Sequence, residues 1–256
     1  MKKSNIPQYI QSNWYVDDQF SQQLGDNTAP QKEVILERWK IFDLELRKYL
    51  STRTFSAPLR VLDAGCGDGI NLVGLEKILS NLNQNFKLHA VDLSVLRVGR
   101  VLQRFKRINA FVTSLDSLPF QDAYFDIVLC NHVLEHLEQP DIALQELLRV
   151  MRPGGMIIIG VPNEGCFMAK MRNYIFQRSI LKTTDHINFF TSKSLQNMMT
   201  RANLKPLIIY HRGWFLPHMR LIRLFNNIVG RYLLNWIRIV FPSNAADLIA
   251  VAIRDP

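Results

Sequence analysis

Val61-Leu62-Asp63-Ala64-Gly65-Cys66-Gly67-Asp68-Gly69 decides the fold of this chain. The apolar run Leu59–Leu62 leads into a loop with glycine at alternate positions, and Leu72–Leu82 follows with helical character. The segment therefore reads as strand, tight turn and helix. Outward from it the alternation continues. Lys87–Asp92 reads as a second strand, Leu93–Phe105 as a second helix, Ile108–Val112 as a third strand and Phe125–Cys130 as a fourth. A helix over Pro140–Met151 comes next, and Arg152-Pro153-Gly154-Gly155 turns into a fifth strand, Met156–Val161. Such an order predicts an α/β fold, a mostly parallel sheet with helices on both faces. Leu207–Tyr210 and Leu248–Ile253 read as two late strands. Upstream, Val34, Ile35, Trp39, Phe42, Leu46 and Tyr49 recur at helical spacing over Gln31–Leu50, after a loop at Gly25–Pro30.

The loop suggests a ligand. Glycines let the main chain turn tightly and let a small molecule approach without Cβ interference. Asp92, at the end of the second strand, is placed to accept hydrogen bonds from both hydroxyls of a ribose. Dinucleotides and S-adenosylmethionine both fit so far. The dinucleotide pattern needs a further glycine where this chain has Ile70, and Asp68 adds a negative charge that would repel a pyrophosphate. Asp63 suits a ligand carrying an ammonium or sulfonium charge.

Composition bounds the class. The chain has 256 residues, of which 48% are hydrophobic and 21% charged, so collagen-like and wholly disordered readings are excluded. Cys66, Cys130 and Cys166 lack CxxC spacing, which offers neither a disulfide framework nor a zinc ribbon. Met1-Lys2-Lys3-Ser4-Asn5 leads into polar residues, and no long uncharged apolar stretch occurs, so a cytoplasmic protein is expected. The net charge is +9, and it is local. Between Asp185 and Asp247 there is no acid, while Lys193, Arg201, Lys205, Arg212, Arg220, Arg223, Arg231 and Arg238 fall there. Either an anionic neighbour or a solvated basic surface accounts for that run.

These motifs, in this order, resemble the class I S-adenosylmethionine-dependent methyltransferases from about Leu59 to Gly165. Val61–Gly69 resembles the family's cofactor loop, and Ala90-Val91-Asp92-Leu93-Ser94 the segment with its ribose acid. Leu115-Asp116-Ser117-Leu118-Pro119-Phe120 is similar to the segment that contacts the adenine amino group. Asn131-His132-Val133-Leu134-Glu135-His136-Leu137 resembles the loop after strand four, and Leu148–Gly155 the turn into strand five. By pattern the nearest branch is the small-molecule one that includes quinone-biosynthesis enzymes. The resemblance implies a Rossmann-like, doubly wound, seven-stranded sheet with an antiparallel edge strand and helical caps. It implies S-adenosyl-L-methionine as cofactor, held by Asp63, Ala64, Gly65, Cys66, Gly67, Asp92, Leu93, Asp116, Ser117, Asn131 and His132.

Methyl transfer from a sulfonium asks the protein chiefly for alignment, with a base where the acceptor is a hydroxyl. Three histidines are candidates. His132 follows strand four directly. His136 lies in a Leu-Glu-His-Leu pattern, where packing or helix-start bonding competes with a catalytic role. His186, in Asp185-His186-Ile187-Asn188-Phe189-Phe190-Thr191, resembles a subgroup histidine that faces substrate, with Asp185 expected to orient its ring. No metal site is expected, because these histidines and acids lack compact ligand spacing.

The domain reading is an N-terminal flap and helix over 1–50 and a cofactor-binding domain over 51–256. Tyr9, Trp14, Tyr15 and Phe20 suggest the flap. A cap insert over about 164–190 is expected to form an amphipathic helix, with Phe167, Met168, Met171, Tyr174, Ile175 and Phe176 below and Lys170, Arg172 and Arg178 above. A second insert, about 212–246, places Arg220, Arg223, Arg231 and Arg238 within about 80° of one another on a helix. Leu221, Phe225, Ile228, Tyr232, Trp236 and Ile239 take the other side, and Gly230 is a candidate break. A packed lid, peripheral membrane contact through 218–241 and an oligomer contact all fit this stretch. The expected reaction is O-methylation of a small metabolite, amphiphilic or phosphate-bearing. Nucleic acid is not the expected partner, since Asn131-His132-Val133-Leu134 lacks the Asn/Asp-Pro-Pro-aromatic motif of base-amino methyltransferases. An RNA or protein methyltransferase using the basic third, and a non-catalytic cofactor-binding subunit, stay open as alternatives.

Overall fold

Strands β1 (Leu59–Ala64), β2 (Phe86–Asp92), β3 (Ile108–Val112), β4 (Phe125–Asn131), β5 (Met151–Pro162), β6 (Pro206–Arg212) and β7 (Asp247–Ile253) form one sheet in the order β3-β2-β1-β4-β5-β7-β6. β1 pairs in parallel with β2 and β4, β2 in parallel with β3, and β6 antiparallel with β7. The Rossmann-like doubly wound expectation and its antiparallel edge therefore hold. The computed structural model describes residues 30–213 and 240–255, with Gly230, Tyr232, Leu233 and Trp236. The proposed aromatic flap and all four arginines of the second insert lie outside the described residues.

The chain forms two compact units. One comprises the chain up to Cys130, Gln145–Ile157 and the residues from Arg254; the other comprises Asn131–Leu144 and Ile158–Ile253. In the first, helix α1 (Pro30–Ser51) buries Ile35, Phe42, Leu46 and Tyr49 of the helical stripe visible in the sequence, whereas Val34 of that stripe is exposed. Its Trp39 lies where a Cβ on Gly74 would fall, 2.6 Å from the indole, so that glycine lets α1 approach α2 (Ile70–Asn81). Helix α3 (Val95–Arg104) starts at Ser94, whose hydroxyl accepts from the Arg97 N–H. Apolar residues from the loop, α2, β2 and α3 then close a core of Cys66, Leu72, Ala90, Val101 and Phe105. Helix α4 (Pro140–Val150) ends in this unit, where Arg149 bonds Glu146, Asp122 and the carbonyls of Leu118 and Phe120. Those bonds, with the Leu118 N–H donating to Glu146, fix the turn after β3.

One expectation fails at β5. Arg152-Pro153-Gly154-Gly155 belongs to the strand, because Gly154 donates to the Arg254 carbonyl and Arg254 donates back to Gly155. Gly154 sits at φ 74, a conformation that bends the strand without ending it.

In the second unit a 3-10 turn (Leu134–His136) follows β4. After β5 come α5 (Phe167–Met171), a π turn (Arg172–Phe176), α6 (Ile180–Thr183) and α7 (Ser192–Arg201), the last closed by a Thr191–Ser194 capping box. The expected amphipathic cap helix is overturned here. Phe167 is 69% exposed, Tyr174, Ile175 and Phe176 are also exposed, and Arg172 is buried. The reason is polar: Arg172 donates to Asn173 and to Glu164, which draws the arginine inward and turns the apolar side chains out. Gly230, Tyr232, Leu233, Trp236 and Val240 are helical, and among them Tyr232 (74%) and Trp236 (61%) stand exposed. No helix among the described residues is long and apolar enough to cross a membrane.

Candidate active site

Two groups of residues qualify, one in each unit. The first is the loop after β1. Gly65, Gly67 and Gly69 all have positive φ, at 76, 52 and 86, where a Cβ is disfavoured. Gly65 and Cys66 both donate to the Val91 carbonyl, which ties the loop to the end of β2. Asp92 completes the tie. One carboxylate oxygen accepts from the Gly67 N–H at 2.8 Å and the other from the Ser94 N–H at 2.9 Å. A carboxylate has about four lone-pair sites, so acceptor capacity for a ligand remains.

Asp63, the penultimate residue of β1, is buried, and neither of its carboxylate oxygens has a hydrogen-bond partner. Burial pushes its carboxyl up to about 8, and the nearby Asp92 charge pushes the same way. A cationic ligand group would supply what the protein does not. Asn71, near the start of α2, likewise buries an unpaired side-chain oxygen. Asp68 behaves differently from its expected role. It is buried, with its carboxylate 3.2 Å from Arg100 and its carbonyl accepting from Arg104, so its charge is countered by α3. Contrary to expectation, then, Asp68 presents no uncompensated charge to repel a pyrophosphate, and only Ile70, in place of a glycine, departs from the dinucleotide pattern.

The remaining residues expected at the cofactor lie as follows. Ala64 is buried at the end of β1, and Leu93 is 37% exposed beside Asp92. Asp116 and Ser117 are exposed on the turn after β3, which the Thr113 hydroxyl braces by donating to the Ser117 carbonyl. Cys66 is buried in the loop's core, and burial pushes its thiol well up, so it packs rather than reacts.

The second group lies after β4. Asn131 is buried with an unpaired side-chain oxygen, in space that a Cβ on Gly160 would fill, 2.1 Å away. His132 has φ 56, and its N–H donates to the Gly160 carbonyl. Its ring spans two acids, with Nδ1 3.2 Å from Glu135 and Nε2 3.3 Å from Asp247. Asp247 is itself paired with the buried Arg212.

The 3-10 turn and the segment around His186 are stitched together. The Glu135 carbonyl accepts from the N–H groups of Ile187 and Asn188. The Asn188 side chain donates to the carbonyls of Leu134 and Leu137 at 3.1 and 2.6 Å. As a result His136 and His186 meet edge to face with ring centroids 4.8 Å apart. His186 Nδ1 is 2.6 Å from Glu164, whose other oxygen meets Arg172 at 3.2 Å. Burial draws the His186 imidazole down, but Glu164 more than offsets this and leaves it above its ordinary value. Burial works against the Glu164 charge as well, and His186 and Arg172 hold its carboxyl below the usual range. His136 goes the other way: burial lowers it despite Glu135 and Asp185 nearby.

The expected orienting acid is thus corrected. Glu164 holds His186 Nδ1, while the Asp185 carboxylate lies 3.4 Å from Nδ1 of His136. Glu164, Glu135 and Asn188 were missed by sequence reading. A usable signal existed for Glu164, an acid just past the apolar end of strand five; none existed for Asn188. The expectation of no compact ligand set also needs correcting. Glu135, His136 and His186 each bring a potential ligand atom within 4.8 Å of the others. Linear spacing could not reveal a set split between two segments that the backbone bonds bring together.

The chain matches the model of a methyltransferase domain over residues 37–208. It is 34% identical over 107 residues to a Mycobacterium tuberculosis protein named as a probable S-adenosylmethionine-dependent methyltransferase, covering 42% of this chain and 37% of that one. It is 27% identical over 156 residues to a ubiquinone biosynthesis O-methyltransferase of Dechloromonas aromatica, covering 57% of this chain and 65% of the relative. The chain thus spans less than two thirds of the length of either relative. A solved S-adenosylmethionine-dependent methyltransferase from Archaeoglobus fulgidus has the same fold, with TM-score 0.55, 19% identity and coverage of 84% and 94% of the two chains.

Proposed function

The chain belongs to the methyltransferase domain family, and from that premise we propose that it is an S-adenosylmethionine-dependent enzyme that methylates an oxygen of a small, amphiphilic metabolite. The observation that carries the reading is Asp63, a buried carboxylate with both oxygens unpaired at the mouth of a three-glycine loop. The residues present fit the cofactor. Asp63 would meet its ammonium group, Asp92 has lone pairs left for the ribose hydroxyls, and Gly65 and Gly67 leave the main chain bare. Leu93 offers an apolar surface for the adenine, and Asp116 and Ser117 polar groups for its edge. Asn131 and His132, which the resemblance also gives to the cofactor, lie in the other unit.

When bound, the cofactor supplies an electrophilic methyl group on a sulfonium. The chain's own residues have to orient an acceptor and deal with its proton. His186 is the group for this, because Glu164 fixes its Nδ1, orients the ring and stabilises its charged form. His136 and His132 line the same unit as supporting polar groups. Oxygen is favoured as the acceptor atom because a hydroxyl gains from such a group, and the Dechloromonas relative is named an O-methyltransferase. The exposed Tyr232, Trp236, Val240 and Phe241 support an amphiphilic acceptor, or one presented at a lipid surface.

The test is methyl-labelled cofactor with purified protein and an extract of the source cells freed of small cofactors, with Asp92→Ala as the blank. Label in organic-soluble small molecules is expected. Label in the acid-precipitable pool instead would replace this reading with an RNA or protein acceptor, and no label above the blank would point to a non-catalytic subunit.

A further inference from the structure

The cluster after β4 has a feature that proton transfer alone does not require. Glu135 is 0% exposed, and neither of its carboxylate oxygens accepts a hydrogen bond. A buried carboxylate in that state is costly unless a cation or donors reach it. The groups around it are imidazoles: His132 Nδ1 at 3.2 Å and His136 Nε2 at 3.9 Å, with His186 completing a set whose candidate ligand atoms lie within 4.8 Å.

Both rings are prepared in the same sense. His186 has Nδ1 engaged by Glu164, and His136 has Nδ1 facing the Asp185 carboxylate at 3.4 Å and its carbonyl at 3.5 Å. Each therefore keeps Nε2 for another partner. A carboxylate on the far nitrogen is the arrangement that orients metal-ligating histidines and raises their basicity. Arg172 in turn anchors Glu164, and the bonds from Ile187 and Asn188 to Glu135 and its neighbours hold the two segments in place. Nitrogen and oxygen ligands bind first-row divalent ions at roughly 2.0–2.2 Å, so two ligand atoms on one ion are separated by at most about 4.4 Å. Tetrahedral ligands on such an ion lie about 3.3–3.6 Å apart, so the observed atoms must draw together by up to about 1.5 Å to close on one.

We propose that Glu135, His136 and His186 bind one divalent cation of the zinc, cobalt or iron class, with coordination positions left open. Two imidazoles and a single carboxylate favour these ions over magnesium or calcium, which take mostly oxygen ligands. The site is carried by the geometry of its own unit and does not depend on the acceptor's identity. An ion there would lower the pKa of a hydroxyl or water bound in an open position. His186 would then act on an acceptor through the ion rather than as a free base.

The experiment uses the full chain, stripped with chelator and dialysed, then titrated with Zn2+ by calorimetry and with Co2+ by visible absorption. One Zn2+ per chain is expected, together with cobalt ligand-field bands and much weaker binding of Mg2+. Glu135→Gln, His136→Gln and His186→Gln should each weaken Zn2+ by at least about tenfold, and Glu164→Gln by roughly 10–100-fold as a group that orients a ligand. Thermal melting and S-adenosylhomocysteine affinity are measured on every variant. Should Glu135→Gln unfold, the partly exposed His186→Gln carries the test alone. Absent or nonstoichiometric Zn2+ binding, binding unchanged by these variants, or equal affinity for Mg2+ would each overturn the proposal, whether or not methyl transfer is found.

Discussion

In the glycine loop the polar groups come from one short run of sequence and the adjoining strand end, and several are left unpaired. Asp63 has no hydrogen-bond partner, and Asp92 makes backbone bonds that leave it capacity to spare. The cluster after β4 draws Glu135 and His136, Glu164, and His186 from three separate segments, and its members largely contact one another. The first region is shaped by backbone conformation and the second by side-chain linkage. Damage to the first should therefore register in cofactor affinity, and damage to the second in turnover and metal binding.

The largest expected effect is on Asp92. Asp92→Ala removes two charge-assisted backbone bonds that hold the loop, as well as the acceptors offered to a ribose. At about 1.5–3 kcal/mol for each bond to a charged group, S-adenosylhomocysteine affinity should fall by about 100-fold or more in calorimetry. Zn2+ affinity should stay within about twofold, since the variant lies outside that unit. If zinc binding falls in parallel, the two regions are not separable and the comparison fails.

Asn188→Ala is the converse test. It leaves the carbonyls of Leu134 and Leu137 without their side-chain donor and loosens the turn that carries Glu135 and His136. A cost of about 1–3 kcal/mol in chemical denaturation is expected. With the methylated acceptor in hand, turnover should drop about tenfold while S-adenosylhomocysteine affinity holds. An unchanged turnover would show that the backbone bonds from Ile187 and Asn188 to Glu135 suffice.

These two residues also explain what could be read from the sequence. Asp92 was legible because its role is tied to local order: a strand ends, and an acid follows the glycine loop at a fixed place in the fold. The sheet was legible for the same reason, since apolar runs and turn residues specify each element in isolation. Asn188 was not, because nothing in its neighbourhood says that its amide will cap carbonyls on a distant turn. The cap helix was misread because amphipathic periodicity treats Arg172 as a solvent residue, and the buried Glu164 that draws it inward lies outside the helix. The same limit put Asp185 beside His186: sequence adjacency favoured it, whereas the folded chain gives Asp185 to His136 and Glu164 to His186.

Gly69→Ala probes backbone shape within the loop. At φ 86 a Cβ is strained, and it would lie 2.8 Å from the Phe105 ring in the core behind the loop. The left-handed conformation costs about 1–2 kcal/mol, and the overlap adds to it. Melting should fall by about 3–8 °C, and cofactor affinity should weaken less than in Asp92→Ala because no ligand-facing group is lost. A larger loss of affinity than for Asp92→Ala would mean that loop shape, not the acid, dominates binding.

The test that probes the unpaired state of Asp63 directly is a dependence on pH. Its carboxyl in the folded chain is raised to about 8 by burial and by Asp92, whereas in the unfolded chain it returns to the ordinary range near 3.9. Between those values the folded state holds a proton that the unfolded state has released. Stability from this group is thus fully present below about pH 4 and is lost as pH rises toward about 8. Asp63→Asn has no such titration. The variant and the parent should melt alike near pH 4, and the variant should gain steadily above it, by about 1.4 kcal/mol per pH unit, reaching roughly 10–20 °C by pH 8.5 without ligand. Binding should show the opposite ranking. A cationic ligand group favours the ionised carboxyl, so at pH 7 S-adenosylhomocysteine should release close to one proton from the parent and none from the variant. Calorimetry in buffers of different ionisation enthalpy measures that count. If parent and variant melt in parallel at every pH and release the same number of protons, Asp63 is already charged and partnered, and the contrast between an unpaired loop and a linked cluster loses its main support.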